Sequence, residues 1–230
     1  MLAQYVTEVQ QHLNDQQGQF FPLPTLHSFI NRARRRIAAQ SGCLRLLPKG
    51  VQTVPNQEVY PFNIWKSQVQ DQLPGARDIL AVRSLSIAIG VNGWKPMWRR
   101  IPWTDFQARW RIFNQTFVGT ISEPGWWAQY GEGPDGKLYL APIPMTAQPM
   151  ELDLTCVPQA LLTDNDPEPI PYPWTDAVSY WTAVLCLMQQ QRGQDAQMMI
   201  QMFKEDMPIC AAVVCPQMIQ TPYGAVIRSA

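Results

Sequence analysis

Asp164, Asp166 and Glu168 alternate in the stretch DNDPE, a spacing that loops use to hold a hard cation through carboxylate oxygens. The glycine and the distal glutamate that complete a calcium loop are missing, so the three acids read better as a turn with solvated carboxylates. Glu151 and Asp153 also alternate, but on a strand, where such a pair faces solvent and says little about acid–base chemistry. A nucleophile needs a base, and the chain has only two histidines, His12 and His27. Neither lies near any of the five cysteines (Cys43, Cys156, Cys186, Cys210 and Cys215), which are odd in number and widely spaced. They read as reduced, structural thiols of a protein made in a cytoplasm. Nucleophile-elbow, zinc-protease and phosphate-loop signatures are all absent. The expectation is a non-enzyme without catalytic, metal-binding or cofactor-binding residues. One aromatic constellation remains: six of the nine tryptophans fall between Trp94 and Trp127. Exposed on a β-sandwich, Trp94, Trp98, Trp126 or Trp127 could stack on sugar rings. The plainer reading places these rings in the core and in subunit contacts, which large aromatics dominate.

The elements that carry these residues follow from periodicity. Leu2, Tyr5, Val6, Val9 and Leu13 recur at helical spacing and predict a short helix over 2–14. A second helix over 24–41 has Pro24 in its first turn, Leu26, Phe29, Ile30, Ala33 and Ile37 on one face, and Gly42 just past its end. Its RARRR run reads as a solvated face, with Arg32 and Arg36 sharing a flank. From Val51 the period shortens: 51–62 reads as strand, turn, strand, and 78–90 as a buried strand leading to an Asn-Gly turn. Trp103, Phe106, Trp110 and Phe113 form a helical stripe, and 124–130, 136–144 and 149–157 read as three further strands. The proline-punctuated stretch 161–173 is an extended crossover into a helix that starts at Pro173, with Asp176 favoured in its first turn by the helix dipole. Trp174, Ala177, Val178, Trp181, Val184, Leu185 and Met188 share one face, widened by Tyr180, Ala183 and Leu187. A helix this apolar must be covered on more than one side. Another helix follows over about 195–207, and then a tail interrupted by Pro208, Pro216, Pro222 and Gly224.

The fold class expected is therefore α+β. Helices at 1–48 and 173–207 form a bundle around an inserted, antiparallel β-rich domain at 49–172, sandwich- or barrel-like, and 208–230 is an extended tail. Hydrophobic residues make up 46%, enough for a core, whereas charged residues make up only 16% and leave a weakly charged surface suited to assembly. The formal net charge of zero hides a split: 14 Lys/Arg against 6 Asp/Glu in residues 1–115, and 4 against 12 beyond. The halves can neutralise each other, or neighbouring copies can meet with opposite faces. No apolar run is long enough to span a membrane, and the start of the chain lacks signal-peptide character.

Taken in order, LPTLHSFINRARRRIAAQSGC, the strands, GKLYLAPIP, LDLTCVPQALLTDNDPEPIPYPW and TDAVSYWTAV make a layout that resembles the head-to-tail adaptor (connector) proteins of tailed bacteriophages, short-tailed ones in particular. The tryptophan-rich segment 94–127 has no counterpart in that pattern. The resemblance implies a structural virion protein assembled in the bacterial cytoplasm and located at the head–tail junction. It implies a ring, usually dodecameric, beneath the portal protein, bound also to tail or nozzle proteins, with DNA passing through its bore. Arg32, Arg36, Trp174 and Trp181 are the expected subunit-interface residues. The tail, through Ile209, Val213, Val214, Met218, Ile219, Val226 and Ile227, is expected to dock on the portal. The competing readings are a head-closure or tail-terminator ring protein and, from another class, the glycan-binding module above.

Overall fold

The computed structural model describes residues 1–15, 17–89, 93–111, 114, 125–214, 218–220 and 226–228, with backbone alone at 209, 211–214 and the last two runs. The fold is α+β. The chain divides into two compact units, one made of Met1–Cys43 with Ala160–Ala230, the other of Leu44–Gln159.

The first unit is helical. Helix α1 (Leu2–His12) buries Leu2, Tyr5, Val6 and Val9, the face its spacing predicts. Helix α2 (Leu23–Ser41) starts after the extended Pro22 and stops at Gly42, whose φ of 61° is the left-handed conformation that glycine adopts without strain. Leu26, Ile30, Ala33 and Ile37 are its buried stripe.

Two further helices belong to the unit; in the numbering used here they are α5 (Trp174–Gln189) and α6 (Gly193–Val214). α5 packs against α1, α2 and α6, so the cover its wide apolar face demands comes from its own chain. α6 runs to Val214, not to Met207 as its sequence suggests. Pro208 sits inside it, and Cys210 beyond the proline is 2% exposed. The burial of Cys210 is packing gained by continuing the helix, set against the backbone hydrogen bond that the proline removes. Residues 208–214 are therefore helix rather than extended tail. Further on, β8 (Met218–Gln220) and β9 (Val226–Arg228) pair antiparallel, with Ile219 opposite Ile227.

The second unit carries two sheets. In the first, β1 (Arg45–Leu46) and β3 (Ala76–Ile87) flank β7 (Met150–Pro158) in antiparallel register, with Val82 opposite Leu154 and Leu85 opposite Leu152. The second has the order β2 (Val59–Pro61), β6 (Lys137–Ala141), β5 (Trp126–Tyr130), β4 (Arg99–Arg100). Its β4–β5 pair is parallel, which makes the sheet mixed, and neither sheet closes into a barrel. The Gln129 amide links the two, accepting from Val82 N at 2.9 Å and donating to Leu80 O at 3.2 Å. The stretch 51–62 has only β2 as a strand, beside an isolated bridge from Gln52 to Pro149. A 3₁₀ turn (Phe62–Trp65) and helix α3 (Lys66–Gln72) follow, where the sequence reading assigned nothing. Phe62, Trp65 and Val69 are buried at helical spacing there, a signal short enough to miss. Helix α4 (Trp103–Asp105) continues as a π-turn over Phe106–Trp110. Of its expected stripe, Phe106 is buried, Trp103 packs on Tyr139 at 4.4 Å between ring centroids, and Phe113 lies outside the described residues.

Candidate functional site

The crossover and α2 meet around one buried ion pair. Arg34 falls on the same arc of α2 as Ile30 and Ile37, so the helix must bury it. Its Nε donates to Glu168 Oε2 at 2.8 Å and its Nη2 to Glu168 Oε1 at 2.9 Å, a bidentate pair with side chains 1% and 3% exposed. Nη1 donates to Asn31 Oδ1 at 3.0 Å. Asn31 in turn clamps the crossover backbone, accepting from Leu161 N at 2.8 Å and donating to Leu161 O at 2.9 Å. Ile170 N donates to Glu168 Oε1 at 3.0 Å. The buried Tyr5 hydroxyl is raised above the ordinary tyrosine value by burial and then by the Glu168 carboxylate.

The other two acids of the DNDPE run have separate tasks. Asp164 reaches the start of α1, its Oδ1 accepting from Ala3 N at 2.5 Å and lying 3.8 Å from the terminal ammonium. Asp166 closes the local turn through Leu162 N at 2.6 Å and Thr163 N at 2.8 Å, and those bonds hold it below the usual aspartate value. The three carboxylates serve three places, and among the described residues no three metal-ligating side chains converge anywhere. Glu168 corrects the reading of this loop as solvated: the Arg34 guanidinium draws it inside. Arg34 was equally hidden in the RARRR run, although its helical phase with Ile30 and Ile37 was legible.

The four expected interface residues separate. Trp174 is 3% and Trp181 is 9% exposed, both enclosed by their own unit. The Arg36 guanidinium lies 3.7 Å above the Trp181 ring, whose centroid is 5.1 Å from that of Phe203. Arg32 and Arg36 are exposed. On another flank of α5, Ser179 Oγ donates to Glu8 Oε2 at 2.5 Å. Asp176 is held above the usual aspartate value by partial burial first and by the charges of Glu8 and Asp206 after it. Of the expected docking residues, Ile209, Val213 and Val214 belong to α6, while Met218, Ile219, Val226 and Ile227 belong to β8 and β9; their side chains are not described.

Nothing in this arrangement activates a nucleophile. Burial pushes the Cys156 and Cys186 thiols up to about 12, and burial with Asp206 pushes Cys210 up to about 11. Among the described residues Cys43, Cys156, Cys186 and Cys210 form no disulfide with one another, and Cys215 lies outside them. The four tryptophans weighed for sugar stacking are not exposed as a group. Trp98 and Trp127 are 2% and 1% exposed, joined by a bond from Trp127 Nε1 to Trp98 O at 3.2 Å. Trp126 is stacked on Trp110 at 3.6 Å between centroids, which leaves Trp94 as the exposed member of the four. No helix among the described residues is long and apolar enough to cross a membrane.

The buried ion pair serves structure, and Arg32 and Arg36 leave positive charge on the exposed flank of α2. A family model described as SU10 adaptor protein matches residues 2–213, and the chain belongs to that phage adaptor family. No curated protein matches the chain.

Proposed function

We propose that this chain is the repeating subunit of a ring adaptor between portal and tail at the virion's head–tail junction, with the genome leaving through the bore. The observation that carries the reading is the family match, which spans both units and ends at residue 213 as α6 is finishing. The buried Arg34–Glu168 pair supports it. By tying the crossover to α2, it stiffens the helical unit that would stand beside its neighbours. Side-by-side contact is assigned to the flank bearing Arg32 and Arg36, with Trp181 holding the Arg36 guanidinium from beneath and Trp174 buried in the chain. The ring reaches the portal through the chain beyond α6, whose apolar residues include Met218, Ile219, Val226 and Ile227.

The structure sets where to cut. Truncation after Met207 would remove Cys210, whose thiol sits 3.7 Å from Pro173 O, and would damage the helical unit itself. Truncation after Val214 is expected to keep the far-ultraviolet circular dichroism and the melting temperature while abolishing co-sedimentation with purified portal rings. A truncated chain that still binds portal, or one that melts far below the full chain, overturns the docking tail.

A further inference from the structure

The exposed charges of the helical unit are sorted by side. Trp181 of α5 carries Arg36 of α2 on its ring and meets Phe203 of α6. Asp176 precedes Trp181 by five residues, about 140° around the helix at ~100° per residue. It lies instead within the field of Glu8 on α1 and Asp206 on α6. Helix α6 repeats the division. Lys204 is about 100° to one side of Phe203, and Met202 is about 100° to the other. Met198, Met202 and Asp206 stand four residues apart in one row on that second side. Met198 is 56% and Met202 is 42% exposed, large apolar groups beside acids. Arg32 and Arg36 make no ion pair among the described residues, unlike Arg192, which holds Asp195 at 2.6 Å.

We propose that copies of this chain meet head to tail through these two flanks: Arg32 and Arg36 of one copy face Asp176 and Asp206 of the next, with Met198 and Met202 covering the Arg36–Trp181 stack. This rests on the ring reading and names its interface. Two different, complementary patches on separate flanks make a heterologous contact, the kind that generates rings rather than isolated pairs. Opposite charge fixes which flank meets which. Methionines adapt their shape to a partner surface and suit the apolar centre of such a contact.

The test mixes charge-reversed full-length chains. R32E/R36E makes both flanks acidic, and D176K/D206K makes both basic. Wild type is expected to form particles larger than a dimer by sedimentation velocity, weakening with added salt. Each variant alone should associate ~10-fold to 100-fold more weakly, the usual scale for two reversed charge pairs. A one-to-one mixture should restore the large particles, because acidic and basic copies alternate. Circular dichroism confirms that each variant folds. If D176K/D206K does not fold, M198K/M202K, altered only at exposed side chains, replaces it with the same expectation. A wild type that assembles while the variants assemble as tightly overturns the interface and leaves the ring reading standing. A mixture that stops at dimers overturns the head-to-tail arrangement. A wild type that stays monomeric up to ~1 mM at low salt overturns the ring reading and the interface together.

Discussion

Glu168→Leu tests whether one buried ion pair holds the crossover to α2. The substitution leaves the Arg34 guanidinium 1% exposed without the carboxylate that takes two of its bonds, while its Nη1 bond to Asn31 stays. A guanidinium cannot shed its proton at accessible pH, so the charge stays buried without that carboxylate. Removing one partner of a buried pair costs ~3–5 kcal/mol. At ~2–4 °C per kcal/mol for a chain of this size, melting should fall by roughly 6–20 °C. Arg34→Met combined with Glu168→Leu removes both charges, and replacing a whole buried pair by apolar groups is often near neutral. Ile170 N still loses its acceptor, which sets the double variant about 1 kcal/mol below wild type. The double variant should therefore be ~2–4 kcal/mol more stable than Glu168→Leu alone, the non-additivity that marks a coupled pair. Urea unfolding followed by far-ultraviolet circular dichroism measures all four chains. A loss below about 1 kcal/mol for Glu168→Leu, or a double variant as unstable as that single one, refutes the argument.

Two further expectations use the same assay. Gly125→Ala should destabilise by about 1–3 kcal/mol through overpacking, because its Cβ would overlap the Ala141 carbonyl oxygen and sit 2.7 Å from the Trp98 ring. Gly193→Ala has nothing within 4 Å and serves as the neutral control. His12 packs on Tyr180 at 4.7 Å between centroids, and burial holds it below the ordinary histidine value while Glu8 pulls the other way. A depressed folded value means that the unfolded chain takes up the proton first as pH falls. The stability from neutral His12 is therefore complete above the unfolded value and declines as pH drops through about 6.5. His12→Phe should lose less urea resistance than wild type between about pH 7.5 and about pH 5.5. An equal loss in both would assign the acid sensitivity elsewhere.

The sequence by itself determined the α+β class and most of its pieces, because apolar spacing reports which face of an element is buried whatever covers it. The α1 and α2 stripes, the strands β5, β6 and β7, the stop at Gly42 and the need to cover α5 on several sides were legible in this way. Spacing does not report what lies opposite. Arg34 looked like one more solvated cation of a basic run until Glu168, far along the chain, reached it. The three acids of DNDPE looked alike until the start of α1, a local turn and a guanidinium took one each. Pro208 looked like a helix end, but α6 runs past it to Val214 with Cys210 buried beyond the proline. The aromatic segment already read more plainly as core than as a sugar platform, and the structure buries Trp98 and Trp127. Only the tertiary structure decided these cases. Whether a charge is buried, or a proline tolerated, depends on free energies of desolvation and packing set by partners distant in sequence.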